Sequence, residues 1–310
     1  MSVQLQPYHF ESRALMKKDL FLEAAIALKK GIASDPEINL MALVDLASCY
    51  YMLSDYINFR KYTQKAYLEF QKQSSFLKPD QKIALALGLG RLLEEIGSVA
   101  EALKLYDLSL DYSASSRTIK ILAEKLRLLS ELGLHDQLRL FYISCQQMFE
   151  NKSDQDIDLK NALLFTDFYL YGEESCLNRY FQNHTSIATQ GSEQRLLFFN
   201  TLYLFIANQR PLHQKMQNEL SKFNYFDCDA YEKCLYDIAL MLTNKPSYNN
   251  LDLNRAGELS PFCSIRFIKC LSTIDHSDSV FLLRREFMRF IEHLSKESKQ
   301  LIMKAFPLPE

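Results

Sequence analysis

The sequence predicts an all-α protein, and three observations lead to this fold class. Gly and Pro number only 8 each among 310 residues, and both residues disfavour the interior of helices. Apolar residues recur at i, i+3, i+4 and i+7 along most of the chain, which is the period of an amphipathic helix. Finally, one pattern of two helices joined by a short turn recurs, most clearly in residues 15–36, 44–67 and 84–110.

In the first of these helix pairs a small residue lies where the second helix is expected to pass close to the first. Ala24 takes this place in residues 15–36, and the pair closes with Gly31 and Pro36. The second pair departs from the pattern because Phe59 lies at the crossing. A bulky ring at a close crossing should push two helices apart, so we expect this pair to be splayed.

The third pair is the most regular, and weaker copies follow it in residues 121–145 and 158–184. Gly90 and Ala102 are the small residues of its two helices. A glycine marks the predicted turn in each of these three pairs: Gly97, Gly133 and Gly172. Between the second and third pairs, Pro79 and its polar neighbours predict a longer loop or an extended helix end.

This pattern resembles the tetratricopeptide repeat (TPR), a 34-residue helix–turn–helix unit with the consensus W-x2-L-G-x2-Y…A-x3-F…P. The resemblance covers about five units in residues 1–185 and implies a right-handed α-solenoid, a superhelix of stacked helix pairs. Residues 186–310 keep the helical period but lose the consensus, so we expect divergent TPR-like or capping helices that continue the first part. Helix starts are expected there at Ser260-Pro261 and at Asp278 or Ser279.

The resemblance also implies a binding groove, because the first helix of each TPR unit lines the concave side of the superhelix. The residue after the small residue of each first helix is placed in that groove: Arg13, Ser48, Arg91, Arg127 and Thr166. With their neighbours, the partner-binding residues we predict are Arg13, Lys17, Tyr51, Arg91, Lys120, Arg127 and Tyr169. Arginine matches the geometry of carboxylates, so this row favours an acidic peptide. Alternatively, the arginines form structural ion pairs with Glu94, Glu95 and Glu131 across adjacent helices.

No sequence motif for catalysis or cofactor binding is recognisable. The chain has no Walker loop, no G-x-G-x-x-G after a strand, no G-x-S-x-G and no H-E-x-x-H. Its seven cysteines form no CxxC pair, and most lie among apolar residues, which predicts buried free thiols. Its six histidines show no metal-ligand spacing. We therefore expect a protein that is not an enzyme and that binds no metal or cofactor.

Charge and hydropathy narrow the expected location and partners. The net charge is −2, so the protein lacks the excess of positive charge that attracts nucleic acid. No apolar stretch is long enough to span a membrane. The start of the chain lacks the order of a signal peptide, so we expect a cytoplasmic protein. The function we expect is a scaffold or adaptor, as in signalling, that binds a protein or peptide in the groove. The alternative is a TPR-type regulator that senses a ligand or peptide, and an enzyme on a helical toroid ranks third.

Overall fold

The computed structural model describes residues 7–34, 39–109, 116–150, 156–182, 192–243, 259–271, 285 and 287–306. Every regular element within these ranges is a helix, which confirms the all-α prediction. None of the helices within these ranges is both long and apolar enough to cross a lipid bilayer. The chain divides into two compact units, Met1–Ile121 and Leu122–Glu310, called unit 1 and unit 2 below.

Unit 1 contains three antiparallel helix pairs. Each helix packs against the next in the chain, and α1, α3 and α5 also contact one another in that order. The first helices of the three pairs therefore lie side by side. The elements are α1 (Pro7–Met16), α2 (Phe21–Ser34), α3 (Leu40–Met52), α4 (Tyr56–Gln73), a 3-10 turn (Ser74–Phe76), α5 (Pro79–Glu95), α6 (Val99–Ser109) and the beginning of α7 (Ser116–Glu131).

Local signals in the sequence explain where these helices begin. Asn39 and Asp55 cap α3 and α4 with their side chains, which accept hydrogen bonds from the first turn of each helix. Pro79 occupies the first turn of α5, where its missing N–H costs nothing. The polar segment before Pro79 extends α4 to Gln73 and continues as a 3-10 turn. This outcome is the extended helix end that was one of the two expectations.

The predicted turns are confirmed at all three glycines. Gly97, Gly133 and Gly172 have φ angles of 79°, 63° and 94°, in the region that favours glycine. The turns of the first two pairs use Asp19 and Ser54 at φ 59° and 56° instead. Because neither turn contains glycine, the sequence marked them less clearly than the later ones.

Close contacts between paired helices follow the small residues. A Cβ atom on Gly90 would lie 2.3 Å from Cε1 of Tyr106 in the facing helix, so only glycine allows this approach. In the second pair, Phe59 is fully buried with its ring centroid 5.2 Å from that of Tyr51. Tyr50 and Tyr62 also stack between these helices at 5.4 Å. Aromatic rings, rather than a small residue, fill this crossing.

Unit 2 is organised around α11, which contacts α9, α10, α13 and α14. Ser260 accepts a hydrogen bond from the Cys263 amide, and Pro261 begins α14 as predicted. The other expected start, at Asp278 or Ser279, lies outside the described residues. After α7, the elements are α8 (His135–Glu150), α9 (Ile157–Tyr171), α10 (Glu173–Gln182), α11 (Ser192–Ala207), α12 (Gln214–Leu220), a 3-10 turn (Tyr225–Asp227), α13 (Ala230–Leu242), α14 (Pro261–Leu271) and α15 (Lys296–Ala305). Residues 287–292 are also helical.

Candidate functional site

In unit 1, the contacts between α1, α3 and α5 bring predicted groove residues onto one surface. Arg13 of α1 bonds to Asp45 of α3, and Ser48 lies one turn further along α3 on the same side. On α5, the Cβ position of Gly88 is 3.6 Å from Val44 of α3, and Arg91 follows one turn later. We call this surface the odd-helix face, defined by Arg13, Asp45, Ser48, Gly88 and Arg91.

Arg13 is held in place by a carboxylate that the sequence did not single out. Its Nε donates to Asp45 Oδ2 at 2.7 Å and its Nη2 to Asp45 Oδ1 at 3.4 Å. His9 Nε2 lies 2.7 Å from the same Oδ2 atom. Burial acts to raise the pKa of Asp45, but hydrogen bonds and charge from His9 and Arg13 outweigh it, and the pKa is lowered. Asp45 therefore stays ionised at neutral pH.

A His–Asp pair such as His9–Asp45 also occurs in the Ser-His-Asp triad of hydrolases, but here the pair has a structural role. His9 is fully buried, so a substrate has no access to its ring. The nearby hydroxyl of Ser12 donates to the backbone oxygen of His9 and not to the ring. The Nδ1 atom of His9 is also buried and has no hydrogen-bond partner among the described residues. These contacts anchor α1 to α3.

The surface between the arginines has little side-chain bulk. Ser48 is half-buried, with its hydroxyl turned back to the Val44 carbonyl. Gly88 adds no side chain, and within 4 Å of its Cβ position the nearest atom is Val44 Cγ1. Arg91 is exposed next to this part of the surface, which carries no large side chain. A partner's main chain could therefore approach α3 and α5 closely.

The other residues predicted for the groove of unit 1 have different surroundings. Lys17 is exposed at the end of α1, and Lys120 is half-buried on α7. Tyr51 is half-buried, with its ring against Phe59 of α4. Among the glutamates that could have paired with the arginines, Glu94 is buried and accepts a hydrogen bond from the Tyr106 hydroxyl at 2.5 Å.

In unit 2, Arg127 belongs to a set of four charged side chains that we call the ionic cluster: Glu124, Arg127, Glu131 and Arg266. Arg127 donates to Glu124 Oε2 at 2.9 Å and to Glu131 Oε2 at 3.0 Å. Arg266 of α14 donates to the other oxygen of Glu131. Arg127 therefore makes structural ion pairs within its own helix, α7, with Glu131, which was a predicted partner, and with Glu124, which was not. The alternative interpretation expected such pairs across adjacent helices, and here the contact between helices comes from Arg266.

Arg266, like Glu124, is a residue of this cluster that the sequence analysis did not predict. Its guanidinium lies over two rings, 5.5 Å from the centroid of Tyr203 and 5.0 Å from that of Phe262. Burial acts to lower the pKa of Arg266, but the charge of Glu131 outweighs it and the pKa is raised. Arg266 and Glu131 are 135 residues apart in the chain, so no local pattern signals their pairing.

The remaining residues predicted for the groove in unit 2 also pack against other residues of this unit. Tyr169 accepts a hydrogen bond from Asn208 at 3.3 Å, and burial raises its pKa to about 12. Its ring centroid is 5.7 Å from that of His135. Thr166 is fully buried, and its hydroxyl donates to the Ala162 carbonyl. Thr166 is therefore inaccessible to a partner.

In comparisons with known proteins, no family model and no curated protein matches the chain. The resemblance to TPR units accordingly depends on the residues quoted above. Within the part of the chain that the structure describes, no group of three or more His, Cys, Asp or Glu side chains could hold a metal ion.

Proposed function

We propose that the protein is a non-enzymatic scaffold or adaptor that binds an acidic segment of another protein on the odd-helix face of unit 1. In this proposal the helix pairs are TPR-like units of a right-handed solenoid, and the protein acts in the cytoplasm, where its free cysteines stay reduced. The observation that carries the proposal is the position of Arg13, held by Asp45 on the same face as the exposed Arg91.

Arg13 is well placed to bind a carboxylate because its orientation is already set. The Nε and Nη2 atoms point to Asp45, while 42% of the side chain stays exposed. The outer edge of the guanidinium thus remains available to a ligand. A side chain that is ordered before binding loses less conformational entropy when the partner arrives.

The spacing of the helices predicts the length of the segment. Packed helices lie about 8–10 Å apart, so Arg13 on α1 and Arg91 on α5, with α3 between them, are separated by about 16–20 Å. An extended chain covers about 3.3 Å per residue, which corresponds to about five or six residues. We therefore expect two acidic residues at this separation. The residues between them should be small or apolar, because they lie over Ser48 and Gly88.

Binding to an array of immobilised peptides tests this proposal. Each peptide carries two glutamates separated by two to eight alanine or serine residues, and a second set carries glutamine in place of glutamate. We expect the strongest binding when about four or five residues lie between the glutamates, so that they are five or six positions apart. We also expect little binding to the glutamine set and weaker binding at higher salt.

Arg91→Ala is the decisive variant, with Lys65→Ala on α4 as the control because Lys65 is also exposed. A hydrogen bond to a charged group contributes about 1.5–3 kcal/mol, so Arg91→Ala should weaken binding about tenfold or more at an unchanged melting temperature. If affinity is retained while the melting temperature falls, Arg91 has a structural role and the proposal fails. Equal binding of the glutamine peptides would also contradict it.

A further inference from the structure

A groove between α1 and α2 opens to solvent on a part of unit 1 that the proposed function does not use. It has a volume of about 760 Å³ and is lined by Tyr8, Glu11 and Leu15 of α1 and by Glu23, Ile26 and Lys30 of α2, among others. Ile26 is 59% exposed, and Leu22, one turn earlier on α2, is 57% exposed. Two large apolar side chains are thus left open to solvent beside a groove.

Opposite charges lie at the two ends of the part of α2 that lines this groove, and α1 adds Glu11. Glu23 and Lys30 are both exposed and lie seven residues apart on α2, so they project on the same side of the helix two turns apart. Ile26 and Ala27 lie midway between them. Neither Glu23 nor Lys30 has an ion-pair partner among the described residues. One helix therefore presents a negative end, an apolar middle and a positive end.

Such a helix is complementary to a second copy of itself. When two α2 helices pack antiparallel around a two-fold axis near Ile26 and Ala27, Glu23 of each copy meets Lys30 of the other. The two ion pairs lie about 10 Å apart, since seven residues of helix rise about 10.5 Å. The axis also brings the exposed Ile26 side chains together. In a two-fold interface the same surface patch serves both partners, and this patch meets that requirement.

We propose that the groove between α1 and α2 is the interface of a symmetric homodimer, in which Glu23 and Lys30 pair reciprocally between copies. The occupant is a second copy of this chain, because the charge pattern of α2 complements itself. The proposal does not depend on the acidic-segment function, since none of the residues of the odd-helix face lines this groove.

Sedimentation velocity across a concentration series tests the proposal by exchanging charges. The wild type should associate to a dimer. Glu23→Lys and Lys30→Glu each place like charges at both pairs, so each should raise the dimer dissociation constant about tenfold or more. The double variant Glu23→Lys/Lys30→Glu should restore dimerisation. An equimolar mixture of the two single variants should form a heterodimer, because each variant then complements the other.

Two controls separate loss of the interface from loss of the fold. Lys65→Glu makes the same change of charge on α4 and should leave the dimer intact. Circular dichroism and melting temperatures of the single variants should match those of the wild type, because Glu23 and Lys30 are exposed. A monomeric wild type at the highest soluble concentration would overturn the proposal. So would a dimer that both single variants retain, or a double variant that fails to recover.

Discussion

At the scale of single residues, two glycines of α5 show how closely position decides the role of one residue type. Gly90 and Gly88 are separated by one residue, and both lie inside the helix. A Cβ atom on Gly90 would lie within 2.3 Å of the Tyr106 ring, whereas one on Gly88 would meet Val44 at an ordinary 3.6 Å. Gly90 allows α5 and α6 to pack in close contact, whereas Gly88 leaves a part of the surface without a side chain.

We predict opposite effects of alanine at these two positions. Gly90→Ala must displace the Tyr106 ring and its hydrogen bond to Glu94, and we expect the free energy of unfolding to fall by about 1–3 kcal/mol. Gly88→Ala gains helix propensity without a clash and should raise it by up to about 1 kcal/mol. Urea denaturation of both variants measures the difference. Equal effects would show that the α5–α6 contact is looser than described.

At the scale of elements, helical periodicity in the sequence located the helices but did not reveal how deeply each is buried. The segment of α11 was expected to be amphipathic, yet in the structure it is buried on nearly all sides from Leu197 to Ala207. A helix that is apolar all round lies inside a protein, and α11 is the helix around which unit 2 is organised. The neighbours that cover it come from four other helices, and a local pattern does not identify them.

The link between α7 and α14 gives a prediction at this scale. Arg266→Ala removes one of the two arginines that bond to the buried Glu131. Breaking a buried ion pair from one side typically costs about 3–5 kcal/mol, and we expect the lower part of this range because Arg127 remains. The double variant Glu131→Gln/Arg266→Met should cost less than the sum of the two single changes.

Lys222→Ala serves as the control for this prediction, because Lys222 pairs with Glu219 at the surface of the same unit. An exposed ion pair contributes at most about 1 kcal/mol, so this change should have little effect in the same denaturation experiment. Additive effects of Glu131→Gln and Arg266→Met would show that the two side chains do not act as a pair.

At the scale of the whole molecule, the cysteines illustrate a prediction from composition that the structure confirms. All seven are free, and six are buried. Burial raises the pKa of Cys49 and Cys176 to about 12 and that of Cys228 to about 11. Since the thiolate is the reactive form, these side chains are both inaccessible and unreactive at neutral pH.

Titration with Ellman's reagent should therefore separate the native and denatured protein. We expect all seven thiols to react in denaturant. In the native protein, the half-buried Cys263 should be the one thiol to react quickly, and Cys263→Ser should remove this fast phase. Several fast thiols in the native protein would mean that unit 1 or unit 2 opens far more readily than its packing indicates.

The sequence by itself determined the helical class, the turns at Gly97, Gly133 and Gly172, and the burial of most cysteines. These features depend on backbone preferences and on side-chain spacing within a few turns of helix, which is information that neighbouring residues carry. For the same reason the sequence placed Arg13, Arg91 and Arg127 within helices, and the structure has them on α1, α5 and α7.

Only the tertiary structure decided the contacts between residues that are distant in the chain. Arg13 meets Asp45, which is 32 residues away, and Glu131, the partner of Arg127, is shared with Arg266, 135 residues further along the chain. A lone Asp in the apolar segment of α3 was the available signal for the first contact, since a buried carboxylate requires a partner. No comparable signal existed for the second. Ionic contacts of this kind are set by which helices pack together, and packing brings together residues that are distant in the chain.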